Sequence, residues 1–230
     1  MPMSRDDCPR LLSLAVHEFR TPVTVVAGYL RMLLKTQPAI GDQPRKLVEE
    51  AEKSCSRLAA LIAELGELSN LDAGHIALEK HDLDFFALVD EVAGGVREGA
   101  DRGVRLQVER VHGEASVEGD AKHLGRALDA LLSATLRERA EPGVVVASCG
   151  VMRGPDGAHA YVTVAPRAED GGRDAFVPAE WGAFEAWRGG VGFRLVLAKE
   201  VIAAHGGTLF SGQGRRARGA CAVTLPLKES

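Results

Sequence analysis

Six consecutive residues, His17-Glu18-Phe19-Arg20-Thr21-Pro22, bring an imidazole, a carboxylate, a guanidinium and a hydroxyl within two turns of a helix. An imidazole can act as a nucleophile or carry a proton, and a carboxylate beside it can orient the ring or take that proton. Thr21 stands four residues after His17, so on a helix the two share one stripe, with Glu18 and Arg20 on either side. A zinc site of the His-Glu-x-x-His kind is excluded, because Thr21 holds the second histidine's position. A His-Glu pair on a helix is most often a solvated surface and nothing more, so its chemistry depends on the elements around it.

The element that must position these groups reads as one amphipathic helix from Leu12 to Leu34. Leu12, Val16, Phe19, Val23, Val26, Leu30 and Leu33 alternate four and three apart, the seam of a coiled-coil-like bundle. His17 falls one step past Val16, on the flank of that seam. Pro22 removes the amide that would bond the carbonyl of Glu18, which predicts a bend just beyond the histidine. Thr36 to Pro44 holds two prolines and a glycine and breaks the pattern. Periodicity resumes at Leu47, Ala51, Ser54, Leu58, Leu61, Leu65 and Leu68, so the spacing predicts an antiparallel helical hairpin with Gly74 as its C-cap. Two helices cover a long apolar seam poorly. Pairing with a second copy into a four-helix bundle resolves this; packing on the chain's own second domain is the alternative.

Beyond the hairpin, Ile76 to Asp84 reads as a linker and first strand, and Phe85 to Glu98 as a helix with Phe86, Val89, Val92 and Val96 on one face. Alternation at Val104, Leu106 and Val108 marks a strand. Ala121 to Arg139 is helical, with Leu124, Leu128, Leu131 and Leu132 on its apolar side. Val144 to Ser148 and Ala160 to Ala165 are strands flanking a turn at Gly154 to Gly157, Leu195 to Ala204 is a helix, and Ala220 to Leu227 a last strand. This order predicts helices over one face of a mixed sheet.

On its apolar seam, the hexapeptide from His17 to Pro22 resembles the phosphoacceptor box of the two-component sensor histidine kinases, where leucine is usual at the place of Phe19. The run from Leu65 to Gly74 resembles the end of that family's dimerisation and phosphotransfer domain. Val117-Glu118-Gly119-Asp120 before one helix and His205-Gly206-Gly207 after another resemble its ATP-binding domain. The resemblance implies an α+β chain: a two-helix hairpin over residues 1–74 that dimerises into a four-helix bundle, a linker over 75–83, and an α/β sandwich of the histidine-kinase ATPase type over 84–230. It implies His17 as phosphoacceptor with Glu18, Arg20 and Thr21 around it, a homodimer, and response-regulator receiver domains as partners. In family members that are also phosphatases, a hydroxyl placed like that of Thr21 positions a water.

The same resemblance shows where this chain departs. A nucleotide site of that type needs oxygens for magnesium, a carboxylate for the adenine amino group, and glycines that let amides reach phosphate. Ala130 and Ala134 stand where two asparagines belong, and Asp129, about 100° round the helix, should point elsewhere. Pro166 and Ala168 stand at the aspartate and first glycine of the first glycine box, unless four inserted residues recruit Asp170. The second box persists in outline as Gly189-Gly190-Val191-Gly192-Phe193-Arg194, with Arg194 in place of its last glycine. Gly190, Gly192 and Arg194 are the weak nucleotide-binding candidates that remain, and the charge of Arg194 could contact an anion. The reading favoured is therefore a phosphotransfer protein that exchanges a phosphoryl group between His17 and receiver aspartates with no cofactor. An active kinase using ATP and magnesium is the alternative, and a dimeric adaptor that only docks a receiver the third.

A net charge of −4 gives no sign of a nucleic-acid or membrane surface as main partner. Arg5, Asp6, Asp7 and Arg10 interrupt the first ten residues, so no signal peptide is expected, and no run is long enough to span a bilayer. A cytoplasmic protein is the expectation. Cys8, Cys55, Cys149 and Cys221 are far apart without metal-ligand spacing, so reduced thiols and no metal site are expected.

Overall fold

The computed structural model describes residues 7–36, 41–72, 78–111, 113–154, 156–167, 181–186, 193–212 and 219–228. The chain divides into two compact units, Met1–Ile76 and Ala77–Ser230.

The first unit is a hairpin of α1 (Asp7–Thr36) and α2 (Asp42–Asp72). Both exceed the apolar repeat that predicts them, because polar residues continue each helix past its seam. α2 starts before Pro44: a proline in the first turn lacks an N–H that has no helical partner there, so the loop is shorter than two prolines suggest. The hairpin pairs antiparallel, with Arg31 Nε 3.0 Å from Glu52 Oε1 and Val16 against Gly66. A β-carbon on Gly66 would lie 3.1 Å from Val16 Cγ1, so the glycine lets the two backbones approach closely.

The predicted single seam splits in two. Val16 and Ala27 are buried, with Val23 and Leu30 half-buried beside them. Phe19, Val26, Tyr29 and Met32 are exposed, at 59%, 48%, 68% and 59%, as are Leu47 and Leu58 of α2. Four- and three-residue steps describe the centre of a bundle, and one hairpin covers only the half that faces its own second helix.

The second unit is α+β. β1 (His81–Asp84) pairs antiparallel with β3 (Ser116–Gly119). The six-stranded sheet runs β2 (Val104–Arg110), β4 (Gly143–Gly154), β5 (Gly157–Pro166), β8 (Cys221–Pro226), β7 (Thr208–Ser211), β6 (Gly182–Ala183). β2 and β4 are parallel and all other neighbours antiparallel, so the sheet is mixed. Its helices are α3 (Phe85–Gly95), α4 (Ala121–Arg137) and α5 (Arg194–Ala204). α3 stops at Gly95, short of the expected Glu98, after two glycines that weaken a helix interior, and Val96 turns to extended backbone.

Alternation places one set of residues under the helices: Ala147 and Cys149 of β4, Ala160, Val162 and Val164 of β5, Cys221, Val223 and Leu225 of β8. Leu124, Leu128, Leu131 and Leu132 of α4, with Leu195 and Ile202 of α5, complete this core. The opposite face carries Tyr161 and Ala222 with Met152, Trp181 and Phe210 packed on them. The core helices are those the sequence predicts. β3, β6 and β7 are too short to produce an alternating pattern of their own.

Candidate functional site

On α1 the hexapeptide is helical throughout, and the helix continues past Pro22 for a further fourteen residues to Thr36. His17, Glu18, Phe19, Arg20, Thr21 and Pro22 are all exposed. Val16, 5% exposed, anchors the turn that carries His17 against Gly66, so the imidazole stands on the flank next to a fixed point of the hairpin. Beyond Pro22, the Thr24 hydroxyl donates to the carbonyl of Arg20 at 2.8 Å. Such back-bonding adds a side-chain partner to a helix from which proline has removed an amide. The stripe of His17 and Thr21, flanked by Glu18 and Arg20, is thus presented to solvent on a supported helix. Chemically it offers a nucleophilic or proton-carrying ring, a carboxylate, a cation and a hydroxyl, all reachable by a partner.

In the second unit, Ala130 and Ala134 are both 4% exposed, so the methyl groups at these two positions of α4 are packed in the core. Asp129 is half-buried and forms an ion pair with Arg194, the first residue of α5. The two residues singled out in sequence as a substitute metal ligand and an anion contact therefore meet each other. Pro166 is held in the ladder opposite Val145. Arg167 continues that line: its amide bonds the carbonyl of Val144 at 2.9 Å, and its guanidinium donates to Gln107 and Glu109, each at 2.6 Å. Among the described residues at these positions, methyl groups, a proline ring and an internally paired carboxylate do not fit a magnesium nucleotide. Gly190 and Gly192 lie outside the described residues, as do Ala168, Asp170 and Gly74.

A second cluster, legible in sequence only as Asp120 before one helix and His205 after another, joins α4 to α5. Asp120 is the N-cap of α4: Oδ1 accepts from the amide of His123 at 3.1 Å and Oδ2 from the amide of Glu79 at 3.0 Å. His123 Nδ1 lies 2.9 Å from Asp120 Oδ2. Burial pushes the Asp120 carboxyl upward, but the backbone and side chain of His123 and the amide of Glu79 outweigh it and hold the pKa at about 2. The Asp120 amide donates to His205 Nε2 at 3.0 Å, which leaves Nδ1–H to donate to the carbonyl of Val201 at 2.7 Å. His205 is buried, and burial pushes its pKa down despite that bond. Lys80 Nζ donates to the carbonyl of Ala204 at 2.8 Å, so residues 79 and 80 bind the start of α4 and the end of α5 together. Only a long-range contact reveals this cluster: Asp120 and His205 are 85 residues apart.

The model of the His Kinase A (phospho-acceptor) domain matches residues 10–74. The sensor protein DivL of Caulobacter vibrioides is 29% identical over 196 residues, 83% of this chain and 24% of DivL. The signal transduction histidine-protein kinase BaeS of Escherichia coli is 28% identical over 221 residues, 92% of this chain and 45% of BaeS. The chain thus spans less than half the length of either relative. Among solved structures, full-length ShkA in complex with AMPPNP is similar with a TM-score of 0.74 at 22% identity, covering 96% of this chain and 46% of ShkA. Histidine kinase ThkA in complex with response regulator protein TrrA is similar with a TM-score of 0.63 at 18% identity, covering 97% of this chain and 63% of ThkA. Residues 10–74 thus carry a phospho-acceptor domain of the His Kinase A type with an exposed histidine, and over most of its length the chain is similar to two-component histidine kinases.

Proposed function

We propose that this chain is a phosphotransfer protein that uses His17 to exchange a phosphoryl group with response-regulator aspartates and does not draw on ATP. The observation that carries this reading is the contrast between two helices. α1 presents His17, Glu18, Arg20 and Thr21 to solvent, while α4 presents buried methyl groups at Ala130 and Ala134 and commits Asp129 to Arg194. In the transfer, an unprotonated nitrogen of His17 attacks the phosphorus of an aspartyl phosphate. The P–N bond forms as the P–O bond breaks, the receiver's carboxylate leaves, and Glu18 takes the proton from the other ring nitrogen. A phosphorylated receiver supplies the phosphoryl group and its own magnesium, so the second unit need supply neither.

The exposed apolar stripe of Phe19, Val26, Tyr29 and Met32 on α1, with Leu47 and Leu58 on α2, supports a homodimer in which two hairpins form a four-helix bundle. ThkA, a structural neighbour, has been solved with a response regulator, which supports receiver domains as partners here. Transfer is tested by mixing the chain with a labelled phospho-receiver and following label on both proteins. Label should move to the wild-type chain and not to His17→Gln; label on the variant, or none on either, overturns the proposal.

A further inference from the structure

β2 is an edge strand: it pairs with β4 on one side, and among the described residues no strand pairs with the other. Its hydrogen-bond phase is fixed at both ends. The carbonyl of Gly103 accepts from the amide of Gly143 at 3.3 Å, and the amide of Val111 donates to the carbonyl of Cys149 at 2.8 Å. The odd-numbered residues between them therefore point their N–H and C=O groups at β4, and the even-numbered ones point away. The amide of Val104 does so, donating to the carbonyl of Gly99 at 3.0 Å. Leu106 and Val108 thus present backbone donors and acceptors along the open edge. Such a row is a template for another strand unless the chain guards it.

Charged side chains are the usual guard, and here their order matters. Arg105, Gln107 and Glu109 lie on the sheet face away from the helices, level with Val144, Val146 and Ser148. The Arg167 guanidinium holds Gln107 and Glu109 on that face, each at 2.6 Å, so less of their freedom remains to be lost on docking. Cation, neutral group and anion at alternate positions are their own complement in reverse. Antiparallel pairing about a two-fold axis at Gln107 sets the open groups of Leu106 opposite those of the second copy's Val108. It also sets Arg105 opposite the second copy's Glu109, and Gln107 opposite itself. A slip of two residues in either direction keeps the hydrogen-bond phase but sets Gln107 opposite Arg105 or Glu109, and the opposite charges no longer meet.

We propose that the open edge of β2 is a self-association surface: β2 of a second copy adds to it antiparallel about Gln107 and joins the two sheets into one. The backbone bonds hold the strands, and the exposed Arg105–Glu109 pairs, each weak, select the register. The contact is separate from the hairpin and does not depend on phosphotransfer at His17.

The test is cross-linking of the full chain. Gln107 faces itself at a non-hydrogen-bonded position, where α-carbons are about 4.5 Å apart, within reach of a disulfide. Oxidised with glutathione disulfide, Gln107→Cys is expected to form a covalent dimer on the order of tenfold faster than wild type or Arg105→Cys, whose thiol faces Glu109 instead. Adding Arg105→Glu to Gln107→Cys sets like charges together and should slow the cross-link on the order of tenfold; adding Glu109→Arg as well should restore it. Equal rates for Gln107→Cys and Arg105→Cys overturn the proposal, as does a cross-link indifferent to Arg105→Glu. No cross-link at all would assign the edge to a strand of another protein and likewise overturn it. Should the cysteine variants fail to fold, sedimentation of wild type against Arg105→Glu carries the comparison. Wild type is then expected to reach the larger mass at high concentration, and equal masses overturn the proposal.

Discussion

Replacing Asp120 with asparagine tests the junction at which residues 79 and 80, α4 and α5 meet. The aspartate is 6% exposed and its carboxyl is held at about 2 against an ordinary 3.8. At about 1.4 kcal/mol per pKa unit, that difference corresponds to ~2 kcal/mol of stability contributed by the ionised form. Because the folded pKa is the lower one, the contribution is complete above the ordinary carboxylate range, shrinks as pH falls through 3.8, and is gone below about 2. Asparagine retains a capping acceptor but turns an NH₂ toward the donors at Glu79 and His123. Both tryptophans of the chain, Trp181 and Trp187, belong to the second unit, so urea unfolding followed by tryptophan fluorescence reports on that unit alone. At pH 7 Asp120→Asn should unfold earlier by about 1 M urea, taking a slope of roughly 2 kcal/mol per molar. The gap should close on acidification toward pH 2. No gap at pH 7, or one that persists unchanged at pH 2.5, would refute the assignment of Asp120 as an ionised, multiply bonded cap.

Three further outcomes are expected. Gly207→Ala would set a β-carbon 2.3 Å from the Thr224 carbonyl oxygen and 2.6 Å from Leu225 Cδ2, and since strand backbone cannot yield, the second unit should lose about 3 kcal/mol in the same urea assay. His205 is buried and its folded pKa lies below the ordinary 6.5, so the unfolded chain binds its proton first. Stability should therefore fall as pH drops below about 6.5, at up to about 1.4 kcal/mol per pH unit, and His205→Gln should flatten that slope in urea unfolding between pH 7 and 5. His17→Ala removes an exposed side chain, so helix melting by circular dichroism should show a stability change within about 0.5 kcal/mol of wild type; a large fall in Tm would place the histidine in the core instead.

The hairpin and the central helices were legible because their signals are local. A seven-residue repeat through Val16, Val23 and Leu30 fixes a helix face, and Leu124, Leu128, Leu131 and Leu132 fix the buried side of α4. The same repeat could not say which half of the seam a single chain covers, because Phe19 and Val26 fit it as well as Val16 does and yet remain exposed. Short strands such as β7 and β3 escaped, since four residues carry too little alternation. At the site, His17, Glu18, Arg20 and Thr21 lie within five consecutive positions, so their chemistry is readable from spacing. The pairing of Asp129 with Arg194 joins residues 65 positions apart, and that of Asp120 with His205 joins residues still more distant. No periodicity encodes either contact; each follows from α4 and α5 lying side by side.

The measurement that bears most directly on function is phosphoryl incorporation at His17 from two donors in parallel, labelled ATP with magnesium and a labelled phospho-receiver. A chain that keeps its histidine exposed and lacks oxygen ligands at Ala130 and Ala134 should take label from the receiver and none from ATP. Label arriving at His17 from ATP would contradict this account.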